Sequence, residues 1–414
     1  MSDVLFYLGL DDTDAPEGMC TTWLGTLLAQ TLQKSGMRVL ESRLVRLNPT
    51  IPYKTRGNAA ICLQIKGDPA YAFMVACEMV SSHAVLSCQN THPGIVVSLR
   101  KPPSDFYLKA VTDICSIEEA KRIISEYALY HQEYKLGRGL IGATAAICSE
   151  FSDFTWEFLA YRKRDRFLVP RIFDADSFFL SEELTSPKTW DTWDYDEARP
   201  VCIPHSPDPV LYGIRGDSPF SVAHAASVIN SEPYDLFHIW KTNQGTDAHL
   251  VLFTGDNLHE GVSYFMKGTV LEDPVTKEGG HVSFRLQVES STILCMAFEP
   301  TKKFRDYVRL LRKGDVILAA GSFLRDTLNL EKFFLYSAEP YAIKKVPVCP
   351  VCNKRMTSAG SGKGYKCRSC GHRERTYENE YQDRAISQGW YEVPPGSRRH
   401  LSRPLKRGFV SPDL

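Results

Sequence analysis

The sequence predicts a multidomain chain of α/β and α+β units followed by an OB-fold β-barrel and a zinc ribbon. Three observations carry this. Strand-like and helix-like patterns alternate over residues 1–150, short strands with one inserted helix lie between about 261 and 338, and two Cys-x-x-Cys knuckles follow at 349–352 and 367–370. The chain has 414 residues, 43% hydrophobic and 24% charged, which is long enough for about two to four domains and too apolar for disorder. No stretch approaches the roughly 18 apolar residues needed to cross a bilayer, so a cytoplasmic protein with no membrane partner is expected.

The first unit, 1–150, opens with a strand at Val4 to Leu10 that runs into an acidic turn and a helix at Thr22 to Gln33. "RVLESRLVRL" and "NAAICLQI" read as strands by alternation and β-branching, Tyr71 to Ser82 and Ile117 to Tyr130 as helices, and "GIVVSL" as a buried strand between them. "GRGLIGATAAI" reads as a glycine turn opening a further helix. The second unit, 151–257, carries "EFLAYR", an aromatic loop-rich stretch around Trp190 and Trp193, the strand "PVLYGIRG" and a helix near Val222 to Ile229, a pattern that fits a small α+β sandwich. In the third unit, 258–343, a helix at Phe304 to Leu311 follows the third of five short strands, as in an OB barrel. The ribbon at 344–377 and a basic C-terminal tail at 378–414, expected to be extended, complete the order.

Cys349, Cys352, Cys367 and Cys370 are the most specific motif. Two tight turns bring four thiolates together around a tetrahedral Zn²⁺, and a full shell of cysteines leaves no open position, so the metal is structural. Disulfides are the competing reading, disfavoured in a reducing compartment; the eight other cysteines stand singly in mostly apolar runs, as reduced core thiols do. Although the formal net charge is zero, lysines and arginines crowd the knuckles and the tail, which together with the barrel points to nucleic acid.

In "LGLDDTDAPEGMCTTWLG", Asp11, Asp12 and Asp14 leave the C-terminal end of a strand, the edge where open α/β sheets bind ligands. Carboxylates this close repel one another unless a cation holds them, and Mg²⁺ bridging to a nucleotide's phosphates is the expected cation. Gly18 permits close backbone approach, and the N–H groups near Thr21 and Thr22 open a helix suited to an anion. Helix capping by Asp14 or Thr21 is the plainer reading, but it explains one acid and not three. Lys54, Arg56 and Gly57 in "YKTRGNAA", and Arg138 and Gly139 in "LGRGLIGA", are further phosphate candidates. There is no Walker sequence, so an ATP site here has another design.

With these residues "KTRGNAA", "NTHPG", "GRGLIGATAAI", "DPVLYGIRGDS", "TNQGTDAHL", "AFEPTKKFR" and "RRHLSRPL" resemble, in order along the chain, the archaeal tRNA(Ile) 2-agmatinylcytidine synthetases. The resemblance implies an atypical kinase-like domain, a ferredoxin-like domain, an OB fold and a zinc ribbon. It implies an ATP-dependent ligase that attaches agmatine to the 2-position of the wobble cytidine of the minor isoleucine tRNA, whose anticodon is CAU, so that AUA is read as isoleucine. ATP phosphorylates the cytosine 2-oxo group, and agmatine's amine displaces phosphate. The resemblance places an autophosphorylated threonine on Thr21 and the metal-binding carboxylates on Asp11, Asp12 and Asp14. Agmatine's guanidinium and amine call for acids or carbonyls, for which Asp217 and Asp247 are the expected candidates. The base that deprotonates agmatine and the oligomeric state are not legible. A non-enzymatic OB-fold and ribbon RNA-binding protein, and a small-molecule kinase with an RNA-binding half, stand as the other readings.

Overall fold

The computed structural model describes residues 4–16, 18–255, 257–338 and 341–408. Its largest element is a nine-stranded sheet, and the first strand shows why it forms. In β1 (Val4–Asp11), Phe6, Leu8 and Leu10 all point into one core, while Tyr7 and Gly9 face the other side. The first face is covered by α1 (Thr21–Lys34) and α2 (Pro69–His83), the second by α3 (Asp105–Thr112), α4 (Ile117–Tyr127) and α5 (Gly139–Cys148). The remaining strands of this unit are β2 (Arg38–Arg46), β3 (Ala59–Gly67), β4 (Gly94–Ser98) and β5 (Ala128–Glu133), in the order β5-β4-β1-β3-β2.

Helix α5 lies unusually close to this sheet. A Cβ on Gly9 would sit 2.2 Å from the Ala143 carbonyl oxygen, and one on Gly94 2.2 Å from the backbone of Gly139 and Leu140. Glycine is therefore required on both partners for the helix to seat against the end of β1.

The sheet continues past β2 into the second unit. Strand Tyr234–Thr242 pairs in parallel with β2 through Lys241 opposite Arg43 and Thr242 opposite Leu44, then antiparallel with β6 (Thr155–Arg162). Strand Val210–Gly216 and β7 (Thr189–Trp190) finish it, and α6 (Ala175–Thr185) and α7 (Pro219–Val228) pack over these strands. Strand, helix, strand, strand, helix, strand in the spatial order fourth-first-third-second is the ferredoxin-like arrangement. The third unit closes into a barrel. Ser263–Val270 pairs with both Val282–Val288 and Val316–Leu324; Ser291–Ala297 joins Val282–Val288 to Thr327–Ser337 by an antiparallel and then a parallel pairing; and Thr327–Ser337 returns to Val316–Leu324. That circuit is the five-stranded OB barrel, with α8 (Lys303–Arg309) after its third strand.

Three local expectations are corrected. The helix expected to reach Tyr130 ends at Tyr127, and Ala128–Glu133 becomes an edge strand whose mostly exposed residues carry no clear alternation. Helices α3 and α6 were not anticipated; α6 has apolar residues spread around its circumference, with Phe178 buried and Leu180 and Leu184 exposed, so it carries no periodic stripe. The basic tail is not extended. Gly389–Glu392 adds a strand to Thr327–Ser337, and the following residues return to the first two units as a strap. Arg398 pairs with Asp191 and, at 2.7 Å, with Glu392; Arg403 and Arg407 both reach Asp153; Lys406 reaches Glu182 at 2.5 Å. Leu401 enters the first unit's core. These cations look uncompensated in sequence because their acids come from segments roughly two hundred positions away.

Asp247, expected at an agmatine pocket, belongs to this same join. Both its oxygens lie 2.8 Å from the fully buried Lys332 ammonium of the barrel, and Oδ1 also accepts from the Arg403 amide at 2.7 Å. Removing one member of such a pair strands a buried charge. Asp247→Ala is expected to destabilise the chain by about 3 kcal/mol in chemical denaturation, and Asp247→Leu with Lys332→Met by much less.

Candidate active site

Residues 11–22 form the turn between β1 and α1, and their side chains converge because β1 ends there and α5 presses on it. Asp11 sits beside Gly94 in the β4 register, and its carboxylate occupies the space of a missing side chain at Gly142, where a Cβ would lie 1.8 Å from Oδ2. Asp12 turns the chain with φ 58°, in the left-handed region, and accepts from the His92 amide at 3.2 Å. Asp14 Oδ1 accepts from the Thr21 amide at 2.5 Å and from the Thr21 hydroxyl at 2.9 Å. Thr13 donates its amide (3.3 Å) and its hydroxyl (3.0 Å) to the same Thr21 oxygen. Asp14 therefore does cap α1, as the plainer sequence reading holds, and Asp11 and Asp12 are left over.

Burial, reinforced by the neighbouring Asp12 charge, pushes the Asp11 carboxyl well above its ordinary range. Burial also lifts Asp12 to about 7, against the opposing pull of Arg138. An arrangement that penalises its own charges is suited to an added cation, and three carboxylates on one turn are the hard oxygen donors that Mg²⁺ takes.

Two cavities share this turn as a wall. One, of about 540 Å³, is lined by Asp11, Asp12, Asp14, Thr21, Lys54, Gly57 and Arg138, with an apolar wing of Ile51, Tyr53, Ile114 and Ile117. The Arg138 guanidinium lies 5.0 Å from the centre of the Tyr53 ring, and its buried Nε has no hydrogen-bond partner. The other, of about 490 Å³, lies between the first two units and is lined by Asp14, Thr21, Thr22, Arg56, Gly57, Glu157, Asp191, Asp208, Arg215 and the strap residues Arg398 and His400. Asp14, Thr21 and Gly57 face both.

The structure brings most of the sequence candidates together, with four exceptions. Gly18 (φ +113°) and Gly139 line neither cavity; they allow close contact with the Pro207 carbonyl and with the backbone of Gly94 and Asp11. Asp217 is exposed beyond both cavities and accepts from Ser221, and Asp247 is held by Lys332, so neither is placed for agmatine. Arg56 is present but already engaged: it donates to the Ala15 carbonyl at 3.1 Å and to that of Met19, and pairs with Asp14 at 3.1 Å and Asp208 at 3.9 Å. Thr22 meets Cys20, whose buried thiol is pushed up to about 11 and is correspondingly inert. Sequence reading did not single out Tyr53, Glu157, Asp191, Asp208 or Arg215. Tyr53 adjoins "KTRG", and Asp208 and Arg215 lie inside the motif "DPVLYGIRGDS", which is the signal that could have flagged them.

The four ribbon cysteines place their sulfurs within 4.8 Å of one another, all as free thiols. Backbone N–H groups around Cys367 hold its thiol down, while the neighbouring sulfurs push Cys352 and Cys370 up, so the convergence of the four sulfurs and not their acidity marks the site. Among the described residues no helix is long and apolar enough to cross a membrane.

Models of three domain families match the chain: the TiaS TCKD domain over residues 7–85, the TiaS FLD domain over 137–249 and the TiaS C-terminal zinc ribbon domain over 346–386. A 2-agmatinylcytidine synthetase TiaS of Methanocorpusculum labreanum is 48% identical over 401 residues, covering 97% of this chain and 96% of that protein. The chain belongs to the tRNA(Ile) 2-agmatinylcytidine synthetase, or TiaS, family. The Methanosarcina mazei TiaS is 45% identical over 97% of both chains. A TiaS crystal structure with isoleucine tRNA and ATP superposes with a TM-score of 0.92 at 40% identity, covering 99% of this chain and 98% of the other. One with isoleucine tRNA, AMPCPP and agmatine superposes at 0.89 and 39% identity, with the same coverage.

The penalty on Asp12 has a pH signature. Because its folded value of about 7 lies above the ordinary 3.8, the ionised group opposes folding increasingly from about pH 4 upward, and fully above about pH 7. Asp12→Asn is expected to raise the thermal stability of the TiaS-family chain at pH 8 by about 1–2 kcal/mol, a gain that vanishes toward pH 4. Stripping zinc with a chelator is expected to unfold the ribbon, seen as reactivity of four further thiols, while the nine-stranded sheet persists.

Proposed function

We propose that this chain joins agmatine to the wobble cytidine of the minor isoleucine tRNA in the cytoplasm, using ATP, and that the chemistry takes place at the wall formed by Asp14 and Thr21. The observation that carries this reading is that one short turn, with three carboxylates and a buried threonine, faces two cavities of substrate size. The larger cavity suits ATP: its apolar wing with Tyr53 takes the base, and Arg138, with an unpartnered Nε, and Lys54 receive phosphate oxygens. Asp11, Asp12 and Asp14 would hold Mg²⁺, which when bound draws charge from the transferring phosphoryl group.

In this reading Thr21 accepts a phosphoryl group. Its hydroxyl already donates to Asp14 Oδ1, so the proton has a carboxylate to go to as the oxygen attacks. The guanidinium and amine of agmatine belong in the second cavity, beside Glu157, Asp191 and Asp208. Each of these is paired with an arginine, Glu157 with Arg215, Asp191 with Arg398 and Asp208 with Arg171, so the cavity already accommodates guanidinium groups beside its acids. The target cytosine, unstacked from the anticodon loop, then reaches the shared wall. Its 2-oxygen bonds to the γ-phosphorus of ATP as the bond to the β-phosphate oxygen breaks; agmatine's amine nitrogen, giving up a proton, then bonds to C2 as the C2–O bond breaks and phosphate leaves. The barrel and ribbon supply the distant RNA grip.

The test is incorporation of labelled agmatine into an isoleucine tRNA transcript with ATP and Mg²⁺. Wild type is expected to label the RNA only when ATP is present. Asp12→Ala and Thr21→Ala are expected to lose at least about a hundredfold in rate. Asp208→Asn is expected to raise the KM for agmatine about tenfold with little change in that for ATP. Undiminished labelling by Asp12→Ala would contradict the site, and ATP consumption without tRNA would contradict the reaction.

A further inference from the structure

A third cleft lies where the two reactant cavities meet. It has a volume of about 360 Å³ and is walled by Arg46, Lys54, Arg56, Arg399 and His400, with Gly57 at its floor; none of its lining residues is acidic. Leu47, Lys54, Gly57 and Asn58 also line the nucleotide cavity, and Arg46, Arg56, Gly57 and His400 line the second. Two separate parts of the chain build it: the connection between β2 and β3, and the strap.

Its three arginines each have a carboxylate partner that is not part of the cleft's lining, and its lysine has none among the described residues. Arg46 is 3.7 Å from Glu157, and its buried Nε has no partner. Arg399 meets Glu331 at 3.3 Å, and Arg56 meets Asp14 and Asp208. Lys54 is exposed, donates to the Pro49 carbonyl and has no carboxylate partner among the described residues. Two titratable groups register the resulting positive field. Although the Lys54 side chain is exposed as a whole, its ammonium end is partly desolvated by the cleft, and this with the Arg399 charge lowers it; burial together with Arg46, Arg215 and Lys54 lowers His400.

We propose that this cleft is an anion seat for a backbone phosphate of the RNA, next to the nucleotide whose base is modified. The proposal rests on the reading of the two cavities as ATP and agmatine sites. A base that has to meet both reactants enters where their cavities join, and it brings its own phosphodiester with it. A cleft whose lining holds four cations and no acid, with Lys54 unpaired among the described residues and the Arg46 Nε unpartnered, offers the phosphate donors at that junction and relieves the repulsion between Lys54 and Arg399. The strap thereby becomes part of RNA recognition at the reaction centre, through Arg399, while its other cations serve internal pairs.

The source of the phosphate is what the experiment separates, since ATP's own phosphates share the chemistry. Affinity of the full-length protein for the isoleucine tRNA transcript is measured across a salt series, and affinity for a non-hydrolysable ATP analogue is measured in parallel, both without agmatine. Arg399→Gln and Lys54→Met are each expected to weaken tRNA about tenfold and to lower the slope of log affinity against log salt by about 0.7. Analogue affinity is expected to hold for Arg399→Gln. Arg399→Lys is expected to restore the salt slope, which a role confined to packing against Glu331 and Ser322 would not. Lys54 is exposed, so its variant keeps the test alive if Arg399→Gln does not fold. Unchanged tRNA affinity and slope in both variants would overturn the proposal, and so would an equal loss of analogue affinity in Arg399→Gln, which would give the cleft to the nucleotide. Because these readouts need no turnover, a chain that shows them yet incorporates no agmatine would sink the reaction and leave the cleft standing.

Discussion

Close packing of α5 on the end of β1 is the constraint from which the reaction centre follows. With side chains at Gly94, Gly139 and Gly142 the helix could not approach, and Asp11 would not be held in a buried position beside Asp12. Crowding two carboxylates there works against folding, and the rest of the first unit has to offset it. It does so with a core on each face of the sheet, one under α1 and α2 and one under α3 to α5. The turn can then keep Asp11 and Asp12 side by side against their own repulsion.

The two reactant cavities exist because the first and second units are one sheet. The parallel pairing of β2 with Tyr234–Thr242 fixes Glu157 and Arg215 relative to Asp14 and Thr21, with Trp240 and Tyr161 buried in the core that spans the join. The strap adds a third fixed point. Arg398 neutralises Asp191, and the carbonyls of His400 and Leu401 accept from the amides of Gly245, Thr246 and Asp247. A chain read as four successive modules thus keeps its chemistry at the contacts between them.

What was legible in the sequence follows the range of the interactions involved. Local signals were sufficient for β1, α1 and β4, for the five barrel strands and for the zinc knuckles, since alternation, glycine turns and cysteine spacing act within a few residues. The acidic turn was legible because three like charges in four positions demand an explanation. Asp217 and Asp247 misled because an acid in a glycine-bearing loop looks the same whether it faces solvent, a ligand or a lysine of another domain. Asp247's partner is 85 residues away in the barrel. Glu157 and Asp191 gave no signal for the same reason in reverse, and Asp208 only as the first residue of a motif: each becomes a cavity wall only through pairings that span the fold, which also engage most of the tail's arginines.

Residues 395–400 wall the second cavity, yet they follow the barrel and the ribbon along the chain. During synthesis the first two units can therefore fold as a shell well before that wall exists. A prematurely terminated product would bury most of its hydrophobic surface and still lack one wall of that cavity, so the order of synthesis itself withholds the finished enclosure until the polypeptide has passed its strap.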